Sequence, residues 1–299
     1  MERTTTWQEI GTDVQQATRI GEVLDAAKLN FTVEKAPLIV NYKDTQIEIP
    51  KRSITVRTDT NEALGVVSSD YEICQNEQAF DFVNYVSGDL KFDRAGMTHS
   101  GMVYVIASLP EVKVLSDSFT PYLIFQNGFN GYYPVKVAIA PLRIVCQNQM
   151  SIAFMNASNT ITLRHNSTLG ERLVAAKATF LETANYMQEF TRQAEKLATK
   201  KFSEEKFNCF VYDCLPIAAD MTDLQRERMM AARQKLFEAY KVDDNMNFRG
   251  TAWGAINALS DWLTHREPSR HSAKAADNRF MAVTFKPVVL QQLFEQVAA

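Results

Sequence analysis

The chain has 299 residues, 46% hydrophobic and 22% charged, a balance that excludes a disordered protein and allows one large domain or two ordinary ones. A formal net charge of −3 excludes a global basic field, so any nucleic-acid site must be a local patch. No apolar run approaches the roughly 18 residues of a membrane span, and the polar opening MERTTTWQEIGTDVQQ lacks a signal-peptide core, so a cytoplasmic location without membrane contact is expected.

In chain order, Thr18 to Leu29 reads as a short amphipathic helix. From Phe31 to Ser68 the runs FTVEKAPLIV, TQIEI, SITVRT and LGVVSS are short, rich in Val, Ile and Thr, and separated by Asn, Asp, Lys and Pro. They predict strands in hairpin connections. NEQAFDFVNYV then places Ala79, Phe80, Phe82, Val83 and Val86 at helical spacing, with Asn76 as its N-cap. Strands resume at GMVYVIASL, PYLIFQN and YPVKVAIA, the last two joined by QNGFNGYY, whose two Asn-Gly pairs signal a hairpin. PLRIVCQ leads into the helix-like NQMSIAFMN, and TITLRHN is one further strand.

From Thr168 onward the pattern is helical. The stretch to Lys200 has no proline, and no glycine after Gly170, and predicts one helix of about 30 residues, about 45 Å at 1.5 Å per residue. Its apolar residues Leu173, Val174, Ala176, Phe180, Leu181, Ala184, Met187 and Phe190 exceed one narrow stripe, so a second face is left for another subunit and a homo-oligomer is expected. Further helices are predicted at Glu204–Cys214, Thr222–Tyr240, Thr251–Thr264 and Pro287–Val297, with Arg266–Arg279 a polar, basic loop. The fold class is α+β: a strand-rich domain of mostly antiparallel sheet over residues 1–167, followed by a helical region over 168–299 packed on it.

Chemistry is sparse. The four cysteines form no CxxC pair, and Cys74 and Cys146 sit in apolar surroundings as expected of buried thiols. Cys209 and Cys214 fall on one helix without a metal geometry, so no metal and no cofactor is expected. The phosphate-binding and hydrolase motifs are missing, and His99, His165, His265 and His271 are scattered, with His99 read as loop surface.

The positive signals are two. In PLRIVCQNQM, Arg143 lies within an apolar strand that runs into side-chain amides, and Asn148 opens the helix-like segment. Were that strand to neighbour TITLRHN, Arg143 and Arg164 would share a polar face beside a helix N-terminus that favours an anion. Amides satisfying a turn, and an arginine holding a buried carboxylate, explain the same residues structurally. In the hairpin, Phe129, Tyr132 and Tyr133 beside Lys136 are aromatics interleaved with charge, a stacking pattern that core packing also produces.

ALGVVSSDYEICQNEQAFDFV, GMVYVIASLP, YLIFQNGFNGYYPVKVAIAPLRIVCQNQM, TLRHN and the late FRGTAWGAINALSDWLTH occur in an order that resembles the phage/plasmid-like protein family classed as a domain of unknown function (932). The family's usual NSHDGS turn stands here as NGFNGY, without its His and Asp, and Ala140 and Leu142 replace a Thr and a Val, whereas Arg143, Cys146 and Asn148 match. The resemblance implies a gene carried by a phage, prophage or plasmid and a location in the host cytoplasm. At the level of fold alone, strands with intervening helices are similar to phage single-strand annealing recombinases.

The leading expectation is a protein that binds single-stranded nucleic acid, an annealing or recombination accessory. Arg143, Arg164 and His165 contact phosphate, Lys136 adds charge, Asn148 caps the helix, and Tyr132 or Tyr133 stacks on bases. The alternatives are an anti-defence protein that binds and blocks a host immune complex, and an undetected nuclease or nucleotide-modifying enzyme.

Overall fold

Hydrophobic alternation in the strand-rich half builds two antiparallel sheets. The computed structural model describes residues 10–85, 89–143, 148–149, 160–179, 183–241, 247–265, 273–284, 292–293 and 295–296. In chain order these carry β1 (Thr12–Asp13), α1 (Ile20–Ala26), β2 (Val33–Tyr42), β3 (Thr45–Arg57), β4 (Ala63–Ser68), α2 (Asn76–Phe80) with a 3-10 turn over Asp81–Tyr85, β5 (Lys91–Met97) and β6 (Met102–Ser108). There follow β7 (Val112–Val114), β8 (Asp117–Gly128), β9 (Val135–Arg143), β10 (Asn148–Gln149) and β11 (Thr160–Leu163). The helices are α3 (Leu169–Thr179), α4 (Thr183–Thr199), α5 (Glu204–Cys214), α6 (Asp223–Lys241), α7 (Ala252–His265) and α8 (Ala273–Thr284).

The large sheet runs β1-β5-β6-β8-β9-β10, with β11 also on β9 and β7 on β8; the small sheet is β2-β3-β4. The α+β class read from the sequence is the class observed. Strand β6 shows why both faces of the large sheet are covered. Val103, Val105 and Ala107 point into the main core, and Met102, Tyr104 and Ile106 into a second cluster with Phe280 of α8. On the main face Phe119 meets Phe190 of α4 at 5.3 Å and Trp253 of α7 at 6.3 Å, so the helical half packs directly on the sheet. Nearly every residue of α7 is buried, as expected of a helix apolar all round.

Several elements differ from expectation. TQIEI and SITVRT form one strand, β3, because irregular backbone (Lys51 at φ 59, a register shift opposite Pro37 and Ile39) absorbs the Pro50–Lys51 step without ending the pairing. Asn76 is the first helical residue and not the cap; it is buried, donating to the Leu29 carbonyl and accepting from Asn127. Residues 273–279, expected in a loop, begin α8. The segment after Thr168 gives α3 and α4; residues 180–182, which decide whether these are one helix, lie outside the described residues, as do 266–272 and most of Pro287–Val297. On α4, Tyr186, Met187, Phe190, Ala194 and Leu197 are buried within the chain and form the face turned to its own domain, whereas Val174 of α3 is exposed.

Candidate nucleic-acid interface

Strand register decides which predicted residues meet. β11 neighbours β9 as supposed, with Leu163 opposite Val135 and Thr162 opposite Lys136. Arg164 therefore lies at the start of β9, while Arg143 is eight positions further along it, opposite Phe119 of β8 and Asn148 of β10. At about 3.3 Å per residue the two arginines are roughly 26 Å apart along the strand, too far to share one phosphate. Asn148 is a strand residue paired antiparallel with Arg143, and Gln149 after it is also in the strand, so Asn148 does not cap a helix. The anion-binding corner built on Arg143, Arg164 and a helix N-terminus is thus not formed.

The other five residues gather at the opposite end of the sheet. Tyr132, at the β8–β9 turn, is 85% exposed. Its backbone N–H donates to Asn130 Oδ1 at 3.0 Å, which closes the turn through an Asn side chain. Asn130 Nδ2 in turn donates 2.8 Å to the Ser100 carbonyl, tying this turn to the β5–β6 turn. Gly65 of β4 closes the other side: a Cβ there would lie 2.5 Å from the Asn130 Cα. Tyr133 is half-buried over Gly128, and Phe129 is core, packed on Phe31 at 5.8 Å, so of the three aromatics Tyr132 is the one presented to solvent.

Arg164 is exposed just beyond β11. Lys136, half-buried, stands in the cross-strand row Tyr104, Gln126, Lys136, Thr162. His165 is not a free phosphate ligand. Its ring stacks on Tyr71 at 4.7 Å and Nδ1 donates 2.9 Å to the Glu72 carbonyl. Burial pushes its pKa below the usual imidazole value, and the Glu72 and Tyr133 carbonyls only partly restore it. A neutral, wedged imidazole is a wall of the site.

One pair escaped the sequence reading. His99 donates its backbone N–H (2.7 Å) and its Nδ1 (3.0 Å) to the same oxygen, Oδ2 of Asp277 on α8. The carboxylate is 10% exposed and the imidazole 61%. Because a carboxylate only accepts, the proton sits on Nδ1 and Nε2 is left as the acceptor. Met97 to Gly101, with Glu62 to Leu64, Phe129 and Asn130, line a cleft of about 450 Å³. The two partners are 178 residues apart, so no local motif announces them.

These features define a class: an antiparallel α+β protein with two tied hairpin turns, one exposed tyrosine and a small cleft of mixed polar and apolar lining. The chain belongs to the family described as a domain of unknown function (DUF932), whose model matches residues 63–283, well over half its length. β1, α1, β2 and β3 precede that match. No curated protein and no solved structure matches the chain. Among the described residues no helix is long and apolar enough to cross a membrane, and no three His, Cys, Asp or Glu side chains are placed to hold a metal.

Proposed function

We propose that this is a phage- or plasmid-borne protein that binds single-stranded nucleic acid at the β8–β9 turn. The observation that carries the reading is Tyr132, 85% exposed on a turn held by Asn130 on one side and Gly65 on the other. A rigid, uncovered ring stacks on a base of any sequence, contributing about 1–3 kcal/mol per base. Arg164, exposed after the neighbouring strand, supplies charge for the backbone. With few cations at the turn and a net charge of −3 overall, binding has a modest salt slope and little sequence preference.

The test is a shift assay with single-stranded oligonucleotides at low salt. Tyr132→Ala weakens binding about 5- to 150-fold, in line with that stacking energy. Arg164→Ala lowers the salt slope by about one contact, and both variants keep the wild-type thermal midpoint because both side chains are exposed. Absence of any shift at low salt sinks the reading.

The second reading, a protein that blocks a host defence complex, is supported by the β2–β3 arm. Val40, Tyr42 and Ile47 are exposed on one face of that hairpin, beyond the part of β3 that pairs with β4. Large exposed apolar residues on one face suit a protein partner. On this reading tight binding is seen only with the protein target, and Tyr42→Lys abolishes it without affecting oligonucleotides.

A further inference from the structure

The His99–Asp277 pair has the geometry of an oriented base: a buried carboxylate fixes both the tautomer and the direction of an imidazole whose other nitrogen is free to accept a proton. A tether for α8 needs only one hydrogen bond to the carboxylate. Here the backbone N–H already supplies it at 2.7 Å, and the ring adds the second. The cleft beside it shares Asn130 with the turn that carries Tyr132: Asn130 lines the cleft, accepts from the Tyr132 N–H and donates to the carbonyl of Ser100, the residue after His99. A nucleotide stacked on Tyr132 therefore has the imidazole on the adjoining, tied turn.

Ser100 does not complete a serine triad, since its Oγ is hydrogen-bonded to Thr98 Oγ1 at 3.0 Å. A lone oriented base acts most readily when the substrate brings its own nucleophile. The sugar 2′-hydroxyl of RNA is one, and DNA lacks it.

We propose that His99, positioned by Asp277, is a general base that cleaves single-stranded RNA bound at Tyr132. This rests on the binding reading above and adds a reaction to it. Nε2 takes the 2′-hydroxyl proton and the freed oxygen attacks the adjacent phosphorus. The bond from phosphorus to the 5′ oxygen breaks, and the proton returns from the imidazolium to that oxygen through a solvent water. The products are a 2′,3′-cyclic phosphate and a 5′-hydroxyl, and no oxidant or co-reactant is consumed. Asp277, behind the ring, accepts from Nδ1 and so keeps Nε2 turned out as the acceptor.

The experiment incubates the full chain, in EDTA, with an RNA oligonucleotide and a DNA oligonucleotide of the same sequence, following binding and cleavage separately. The expected result is RNA cut to fragments ending in cyclic phosphate, with DNA bound but intact. His99→Gln lowers the rate about 10²- to 10⁴-fold, the usual contribution of a general base, with RNA affinity unchanged. Asp277→Asn keeps a hydrogen-bonding group at the site but removes the charge. It lowers kcat while leaving the KM for RNA unchanged, a split that loss of a purely structural tether would not give. RNA that binds but is not cut overturns this inference and leaves the binding reading standing, as does cleavage by His99→Gln at the wild-type rate. RNA and DNA that both fail to bind overturn the two together.

Discussion

At the scale of single residues, the informative side chains are those whose environment conflicts with their charge. His165 is wedged on Tyr71 with its pKa pushed below 6.5, chiefly by burial. The unfolded chain then holds more protons than the folded one in the window just under pH 6.5. Stability is therefore complete above about 6.5, falls as pH drops through that value, and levels off below the folded pKa. His165→Phe keeps a ring over Tyr71 but cannot titrate. Its urea midpoint, whatever its absolute value, should change less between pH 7 and pH 5 than the wild-type midpoint does. Equal slopes for the two proteins would show that His165 titrates normally. Glu22 does not confuse the measurement: the Thr18 backbone N–H, then the Arg19 side chain, hold it at about 2, so its stabilising contribution is lost only as pH falls below 4.5. His99 teaches a different point. As a residue it looked like loop surface, and only a carboxylate 178 positions away gives it a role.

At the scale of elements, legibility in the sequence followed how strongly each segment's pattern matched its environment. Helices α5, α6 and α7 were readable to within a residue because caps and apolar spacing agreed with the buried face; Ser203, for instance, accepts from Lys206 N–H at the start of α5. Strand β5, KFDRAGM, was missed because Asp93 and Arg94 interrupt its apolar run, although it pairs with β6 along its length. Helix α8 was missed because only a few apolar residues, Ala276 and Phe280 among them, face the sheet, and the polar remainder resembled a loop. Arg143 and Arg164 are close in sequence yet separated by the length of β9, which period-2 alternation cannot reveal without the register. A packing consequence concerns α7. A Cβ on Gly254 would run into the Phe248 carbonyl, so the helix start approaches the preceding backbone more closely than any side chain permits. Helix propensity favours Gly254→Ala by about 1 kcal/mol, but the backbone displacement costs about 1–3 kcal/mol. The expected result is a net loss of stability in urea unfolding at constant m; a gain would mean that the Phe248 turn yields easily.

At the scale of the whole molecule, the question is which surface remains for assembly. One stripe of α4 is buried against the sheet and α7, with Phe190 5.9 Å from Trp253. Among the described residues expected to serve a second face, Val174 of α3 is the exposed apolar one. The conspicuous uncovered apolar surface is the β2–β3 arm, where Val40 and Ile47 are cross-strand partners and Tyr42 is 61% exposed. A two-stranded ribbon is marginal in water without a third strand or a helix against its apolar face. Pro37 interrupts the outer edge of β2, a feature that opposes edge-to-edge strand addition. The apolar face is then the surface by which the arm gains support. If a homo-oligomer forms, it should form there: light scattering of the wild type exceeds 33.9 kDa at high concentration, and Val40→Lys with Tyr42→Lys returns it to 33.9 kDa without lowering the thermal midpoint of the remaining fold. A wild-type mass of 33.9 kDa across a wide concentration range ends the homo-oligomer expectation and leaves the arm to a different protein. A larger mass that survives both substitutions places the contact elsewhere. The arm lies before the family match and far along the chain from Tyr132 and His99, so the same double substitution should leave oligonucleotide binding unchanged. Loss of both properties at once would mean that assembly builds the nucleic-acid site, with one copy completing the interface of the next.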